Sequence, residues 1–186
     1  MAWLNTQQQR LQPLLSESDA DLMSTQWHEI TENLASFNGL PEGLIHGDLF
    51  QDNVLFTGNT ITGVIDFYNA CNDWLVYDVA VTANDWCLNS DQSLNEEKLT
   101  ALLSAYHALR PFTQEEQEAW PTMLRLAAFR FWISRIITFV HPEEAEGGQQ
   151  NESLHGNVLD PDVFKHMLLH RTKHPVRMNP SNHWRI

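Results

Sequence analysis

The segment NVLFTGNTITGVIDF, residues 53–67, constrains the fold most, because it is β-rich in a chain whose other regular patterns are helical. Its two β-branched and aromatic runs are separated by Gly58 and Asn59. Such runs on either side of a glycine-containing turn predict an antiparallel β-hairpin. Leu44 and Ile45 predict a short extended segment just before it. The expected fold class is mostly α, with helices flanking one small β-hairpin.

Apolar residues recur at helical spacing on both sides of this hairpin. Ser18 followed by Asp21, and Thr113 followed by Glu116, are typical of helix N-terminal caps. After Asp66 the chain is expected to become helical again. The expected helices cover residues 1–15, 18–37, 73–88, 95–109, 113–140 and 162–171.

The length of 186 residues suits one domain with a sizeable core. We expect a single helical domain over residues 1–171. The remaining residues, 172–186, show no clear period and are expected to form a mobile tail.

The net charge of −13 argues against a nucleic-acid partner, which requires clustered cations. The most apolar stretch, residues 124–140, contains three arginines and is therefore expected to be a buried helix rather than a membrane span. The first ten residues lack the charged and apolar regions of a signal peptide. Cys71 and Cys87 are predicted to be buried thiols of a protein in the reducing cytoplasm.

A polar loop, residues 46–53, separates the extended segment from the hairpin and carries His46, Asp48 and Asn53. If the two runs pair, Asn53 and Asp66 come to the same end of the hairpin, where Asp48 can face them. Grouped hard oxygen ligands suit Mg²⁺. In kinase-type phosphoryl transfer a loop Asp takes the hydroxyl proton, while a loop Asn and a strand-end Asp hold the metal. The alternative is that these residues only form turns. His46 is expected to hold the loop.

The segments HGDLFQDNVLF and GVIDFYNACNDWLVYDVAV resemble the small-molecule kinases of the aminoglycoside and choline phosphotransferase superfamily. Together with AFRFWISRI and LDPDVFKHMLL, they are similar to the bacterial homoserine kinases of that fold. The resemblance implies a protein-kinase-like fold that uses ATP and Mg²⁺. It implies that Asp48 is the catalytic base, that Asn53 and Asp66 are metal ligands, and that Asp78 accepts backbone N–H groups of the polar loop.

The sequence departs from this family before Leu44, where it has no strand run, no glycine-rich loop and no lysine. A kinase uses such elements to hold the nucleotide phosphates. We therefore expect the chain to correspond to the C-terminal lobe, with the N-terminal lobe absent, and to have little kinase activity alone. An exposed lobe interface is expected to favour self-association.

The α-carboxylate of homoserine calls for an arginine, and Arg130 and Arg135 are the candidates. Five residues apart on a helix, they do not share one face, so only one is expected to point inward. Asp73 and Asp85 are candidates for the ammonium group. Two further readings stay open: a kinase acting on another amino alcohol, a sugar or an aminoglycoside, and a lobe that serves only as a binding module.

Overall fold

Helices form most of the structure, a computed structural model that describes residues 1–140 and 160–178. A fold that is mostly helical with small antiparallel sheets is therefore confirmed. The elements in chain order are α1 (Ala2–Leu11), α2 (Glu17–Leu34), β1 (Glu42–Ile45), β2 (Val54–Thr57), β3 (Thr60–Val64), β4 (Cys71–Trp74), α3 (Leu75–Trp86), α4 (Glu96–Leu109), α5 (Gln114–Val140) and α6 (Pro161–Lys173).

The predicted hairpin is formed by β2 and β3, which pair antiparallel. Val54 lies opposite Val64 and Leu55 opposite Gly63, with an irregularity in the pairing after Leu55. Gly58 adopts a φ of 61° in the connecting turn, a conformation that residues with a Cβ rarely adopt. The hairpin brings its first and last residues, and the loops attached to them, to one end.

A second two-stranded sheet, which the sequence pattern did not predict, is formed by β1 and β4. Ile45 lies opposite Cys71, and Leu44 lies opposite Asn72. The helix expected at residues 73–88 is present as α3, Leu75–Trp86, but the unpredicted strand β4 lies between it and Asp66. The ladder partners of β4 lie far back in the sequence, so local apolar spacing does not reveal this strand.

The core is built around α5, which packs against α2, α3 and α6. Its buried aromatic residues include Trp120, Phe129 and Trp132. The predicted capping box is present, because Glu116 N donates to Thr113 Oγ1 at 3.2 Å and Thr113 N donates to Glu116 Oε2 at 2.8 Å. The prediction of a buried helix at 124–140 is confirmed for most of its length, although Phe139 is exposed.

Several helix ends differ from their predicted positions. The N-terminal cap of α2 is Ser16, whose Oγ accepts from Asp19 N, rather than Ser18. Residue 172, expected to begin the tail, lies inside α6, which extends to Lys173. Met178 is buried against the core. The rest of the predicted tail, residues 179–186, lies outside the described residues.

Two further expectations concern membranes and thiols. Within residues 1–140 and 160–178, no helix combines the length and the apolar character needed to cross a bilayer. Cys87 is buried, as predicted, but Cys71 on β4 is exposed. The prediction of two buried thiols is therefore wrong for Cys71, because it lies on a two-stranded sheet that leaves its side chain open to solvent.

Candidate active site

The polar loop is anchored at its start by Asp78, in the first turn of α3. One carboxylate oxygen of Asp78 accepts from His46 N at 3.1 Å, and the other accepts from Gly47 N at 2.7 Å. The resemblance implied this role for Asp78. Since His46 and Gly47 are buried, their N–H groups have little access to water and depend on this acceptor.

His46 ties the polar loop to the residue before Asp66. Its Nε2 lies 2.9 Å from the carbonyl oxygen of Ile65, which can only accept, so Nε2 carries the proton. Its ring also lies 4.7 Å from the ring of Phe67, measured between centroids. His46 therefore links the polar loop to the segment that carries Asp66.

Asn53 and Asp66 lie at the same end of the hairpin. Asn53 ends a short 3₁₀ turn, and its carbonyl oxygen accepts from Ile65 N at 3.0 Å. Its side-chain Nδ2 donates to the backbone oxygen of Asp48 at 2.8 Å, which leaves Oδ1 on the opposite side of the amide. Asp66 is exposed and adopts the left-handed conformation, with φ 65° and ψ 62°. Asp tolerates this conformation better than most residues.

Asp48 presents one engaged and one free carboxylate oxygen. Oδ2 accepts from Asn69 Nδ2 at 3.3 Å, whereas Oδ1 is buried and has no hydrogen-bond partner among the described residues. Burial raises the pKa of Asp48, although Arg130 and Arg135 act to lower it and Asp66 acts to raise it. A raised pKa makes the carboxylate a better proton acceptor than an exposed aspartate.

The residues around this loop fit a magnesium ion. The side-chain oxygen of Asn53 and the exposed carboxylate of Asp66 are the residues that would hold the ion, because Mg²⁺ prefers hard oxygen ligands. In the described part of the chain, no group of three or more His, Cys, Asp or Glu side chains could hold a metal. An ion bound here would therefore take few protein ligands and complete its shell with water and phosphate oxygens, as Mg²⁺ usually does.

The two candidate arginines occupy different environments. Arg130 donates from Nη1 to Gly47 O at 3.1 Å and from Nη2 to Asn69 Oδ1 at 2.8 Å, so both groups are engaged within the protein. Arg135 Nε is buried without a hydrogen-bond partner among the described residues, and burial lowers the pKa of this guanidinium.

The expectation that only one arginine points inward is wrong. Both Arg130 and Arg135 lie close enough to Asp48 to lower its pKa. The helical spacing separates their Cα atoms around α5, but arginine side chains are long enough to reach the same place from different faces.

Two contacts from the C-terminal end of α3 were not expected from the sequence. Asp85 Oδ2 accepts from Gln51 N at 2.7 Å, and Trp86 Nε1 donates to Leu49 O at 3.1 Å. Burial raises the pKa of Asp85. Asp78 and Asp85 are seven residues apart, two helical turns, and such spacing places both on one face. This seven-residue spacing was the sequence signal that could have predicted a helix with two contacts to the polar loop.

The two candidates for an ammonium site are engaged in the protein. Asp85 holds Gln51, and Asp73 Oδ1 accepts from the neighbouring Trp74 N at 2.8 Å. Asp85 therefore braces the polar loop.

Comparisons with known proteins place the chain in a family. The sequence profile of the phosphotransferase enzyme family matches residues 1–112. The homoserine kinase of Methylobacillus flagellatus is 44% identical over 161 residues, which cover 87% of this chain and 47% of that protein. The homoserine kinase of Pseudomonas aeruginosa is 47% identical over 149 residues, which cover 80% of this chain and 46% of that protein.

The homoserine kinase of Neisseria meningitidis serogroup B is 38% identical over 168 residues, covering 90% of this chain and 52% of that protein. This chain thus spans about half the length of the curated relatives it matches. The resemblance inferred from the motifs is confirmed, and the chain belongs to the phosphotransferase enzyme family.

Proposed function

We propose that this chain is the metal- and acceptor-binding lobe of an ATP-dependent kinase that phosphorylates the hydroxyl group of homoserine. The observation that carries the proposal is the state of Asp48. Its Oδ1 is buried and has no hydrogen-bond partner in the described part of the chain, while its surroundings are held by Asp78, Asn53 and Asn69. Such a carboxylate suits a base that accepts a proton from a bound hydroxyl group.

In the proposed reaction the acceptor hydroxyl oxygen forms a bond to the γ-phosphorus of ATP. The bond from that phosphorus to the β–γ bridging oxygen breaks, ADP leaves, and Asp48 Oδ1 accepts the hydroxyl proton. Mg²⁺ held by Asn53 and Asp66 would neutralise charge on the phosphates. The protein residues otherwise position the groups, which supplies most of what phosphoryl transfer requires.

Homoserine is the proposed acceptor because the relatives described above, whose matches cover most of this chain, are named homoserine kinases. Arg135 supports it, because its partly unsatisfied guanidinium lies near Asp48 and would bind a carboxylate. Arg130 suits this role less, because both of its Nη groups already donate to the protein.

The proposed assignment to one lobe is supported by the share of the relatives that the chain spans and by the positions of its lysines. The three lysines of the chain, Lys98, Lys165 and Lys173, lie on helices. None therefore occupies the strand position from which a kinase lysine contacts the nucleotide phosphates. We expect phosphoryl transfer by these 186 residues alone to be slow.

A single-turnover assay tests the function. It contains homoserine, Mg²⁺ and radiolabelled ATP, with the chain in excess over the ATP. We expect labelled O-phosphohomoserine, and a rate about 10²–10⁴-fold lower for Asp48→Asn, which keeps the shape but loses the base. Choline, a sugar and an aminoglycoside serve as competing acceptors. Binding of each acceptor by calorimetry gives a measure that does not depend on turnover.

Preferential binding and phosphorylation of another acceptor would contradict homoserine as substrate. Product formed equally by Asp48→Asn would contradict the role of Asp48. A chain that neither binds homoserine nor forms product would contradict the kinase reading and favour a binding module.

We also propose that two copies of the chain associate through apolar side chains exposed on the two small sheets and on the turn before β4. Leu44 is 81% exposed, Ile61 59%, Phe67 58% and Tyr68 90%. Exposed apolar side chains favour association. Light scattering after size-exclusion chromatography should give a mass that rises with concentration, and Leu44→Ser with Ile61→Ser should reduce the rise. A constant monomer mass would contradict this surface.

A further inference from the structure

Asn69 lies between Asp48 and Arg130, and its contribution to the proposed reaction has so far been described only as a contact with Asp48. It ends the 3₁₀ turn Phe67–Asn69, just before β4. The polar loop approaches it closely at Gly47, whose φ is 75°. A Cβ at Gly47 would lie 2.9 Å from Asn69 O, so only glycine allows this approach.

The orientation of the Asn69 side chain follows from its partners. Arg130 Nη2 can only donate, and it lies 2.8 Å from Asn69 Oδ1. The amide oxygen must therefore face Arg130, which turns Nδ2 towards Asp48. Nδ2 then donates to Asp48 Oδ2 at 3.3 Å. Arg130 itself is fixed by its second bond, from Nη1 to Gly47 O at 3.1 Å.

This arrangement makes the two oxygens of Asp48 different. Oδ2 is engaged by Asn69, while Oδ1 is buried with no partner among the described residues. An aspartate whose side chain could rotate freely would present either oxygen to a hydroxyl group. With Oδ2 held, the geometry leaves Oδ1 to accept the proton.

We infer that Asn69, oriented by Arg130, is a positioning residue that holds Asp48 by Oδ2 and directs Oδ1 towards the acceptor hydroxyl. The inference rests on the proposed function, because it assigns a task within the same phosphoryl transfer. Asn69 does not touch the reacting atoms in this arrangement. Its effect is to restrict the side-chain torsions of Asp48, and small displacements of a catalytic group are costly to rate.

The pair of variants Asn69→Asp and Asn69→Ala separates positioning of Asp48 from bracing of Arg130. Asn69→Asp is nearly isosteric and keeps an oxygen for Arg130, but it turns an oxygen instead of an N–H group towards Asp48. We expect both variants to lower kcat by roughly 10–100-fold. We expect the KM for homoserine to change by less than about threefold, because the substrate contacts remain.

Asn72→Ala is the matched control. Asn72 lies on β4, and its exposed amide donates to Glu42 Oε2 at 3.2 Å. The kcat of the Asn72→Ala variant should equal that of the unsubstituted chain. If Asn69→Asp also kept this kcat while Asn69→Ala lost it, Asn69 would act only by bracing Arg130, and the inference would be overturned.

The side-chain amide resonances of asparagine, observed by NMR in a chain labelled with ¹⁵N-asparagine, give a readout independent of turnover. Asp48→Ala should move the Asn69 amide resonance and leave that of Asn72 in place, because only Asn69 loses an acceptor. An unmoved Asn69 resonance would overturn the inference even if homoserine is phosphorylated. A moved resonance in a chain that does not phosphorylate homoserine would reject the proposed function and still support the contact.

Discussion

Asp78 accepts the backbone N–H of Gly47 at 2.7 Å across 31 residues of sequence, and its second oxygen accepts from the adjacent His46. One side chain of α3 thus determines where the polar loop leaves β1. Because both N–H groups belong to buried residues, the carboxylate replaces water as their acceptor.

We predict that Asp78→Ala lowers the free energy of unfolding by about 2–4 kcal/mol, because it leaves two buried donors unsatisfied. Urea denaturation measures the change. Asp21→Ala, an exposed carboxylate on α2, is the control and should stay within about 0.5 kcal/mol of the unsubstituted chain. Equal stability of the two variants would mean that water replaces Asp78 at no cost.

The sequence predicts those parts of the fold that depend on near neighbours. The hairpin around Gly58 and the capping box of Thr113 with Glu116 are of this kind, and both are present. Strand β4 escapes sequence reasoning because its stability comes from pairing with β1, far away in the chain.

In the candidate site, too, the sequence predicts features that depend on near neighbours and misses contacts between distant residues. The polar loop and Asp66 stand out by residue type and spacing, and the hairpin then brings Asn53 and Ile65 together. The contact of Asn69 with Arg130 could not be anticipated, because it joins residues 61 positions apart through side-chain conformations that no local pattern determines.

Arg135 is the residue on which acceptor recognition is expected to depend. We predict that Arg135→Gln raises the KM for homoserine by roughly 10–100-fold with a smaller effect on kcat, because it removes a charged hydrogen-bonding partner of a carboxylate. Initial rates across homoserine concentrations provide the measurement. Arg125→Gln is the control, because Arg125 pairs with Glu29 on α2 away from Asp48. An unchanged KM for Arg135→Gln would exclude this arginine from substrate binding.

The two thiols should differ in reactivity. Burial raises the pKa of Cys87 to about 11, so at pH 8 its reactive thiolate form is scarce as well as inaccessible. Cys71 is exposed. We predict that Ellman's reagent modifies one thiol rapidly at pH 8 in the native chain and two after denaturation. Cys71→Ser should abolish the fast reaction, and a fast reaction that survives this substitution would contradict the assignment.

Asp85 should make folding stability depend on pH. Burial raises its pKa in the folded chain, so ionisation costs more there than in the unfolded chain. The contribution of Asp85 is therefore fully present below its ordinary pKa and is lost as the pH rises through the folded value. We predict that the stability of the unsubstituted chain relative to Asp85→Asn falls as the pH rises above about 4, the ordinary pKa of an aspartate. A difference that stays constant or rises above this pH, measured by urea denaturation, would show that the sign is wrong.

In the proposed reaction Asp66 and Asn53 hold a metal ion while Asp48 serves as the base. Titration of the chain with Mn²⁺ in the presence of ADP, followed by water-proton relaxation, tests it most directly. We predict that Asp66→Asn and Asn53→Ala each weaken Mn²⁺ binding by roughly tenfold or more, while Asp48→Asn leaves it nearly unchanged. Equal Mn²⁺ binding by the unsubstituted chain and its three variants, or a loss confined to Asp48→Asn, would contradict the assignment of Asp66 and Asn53 as metal ligands.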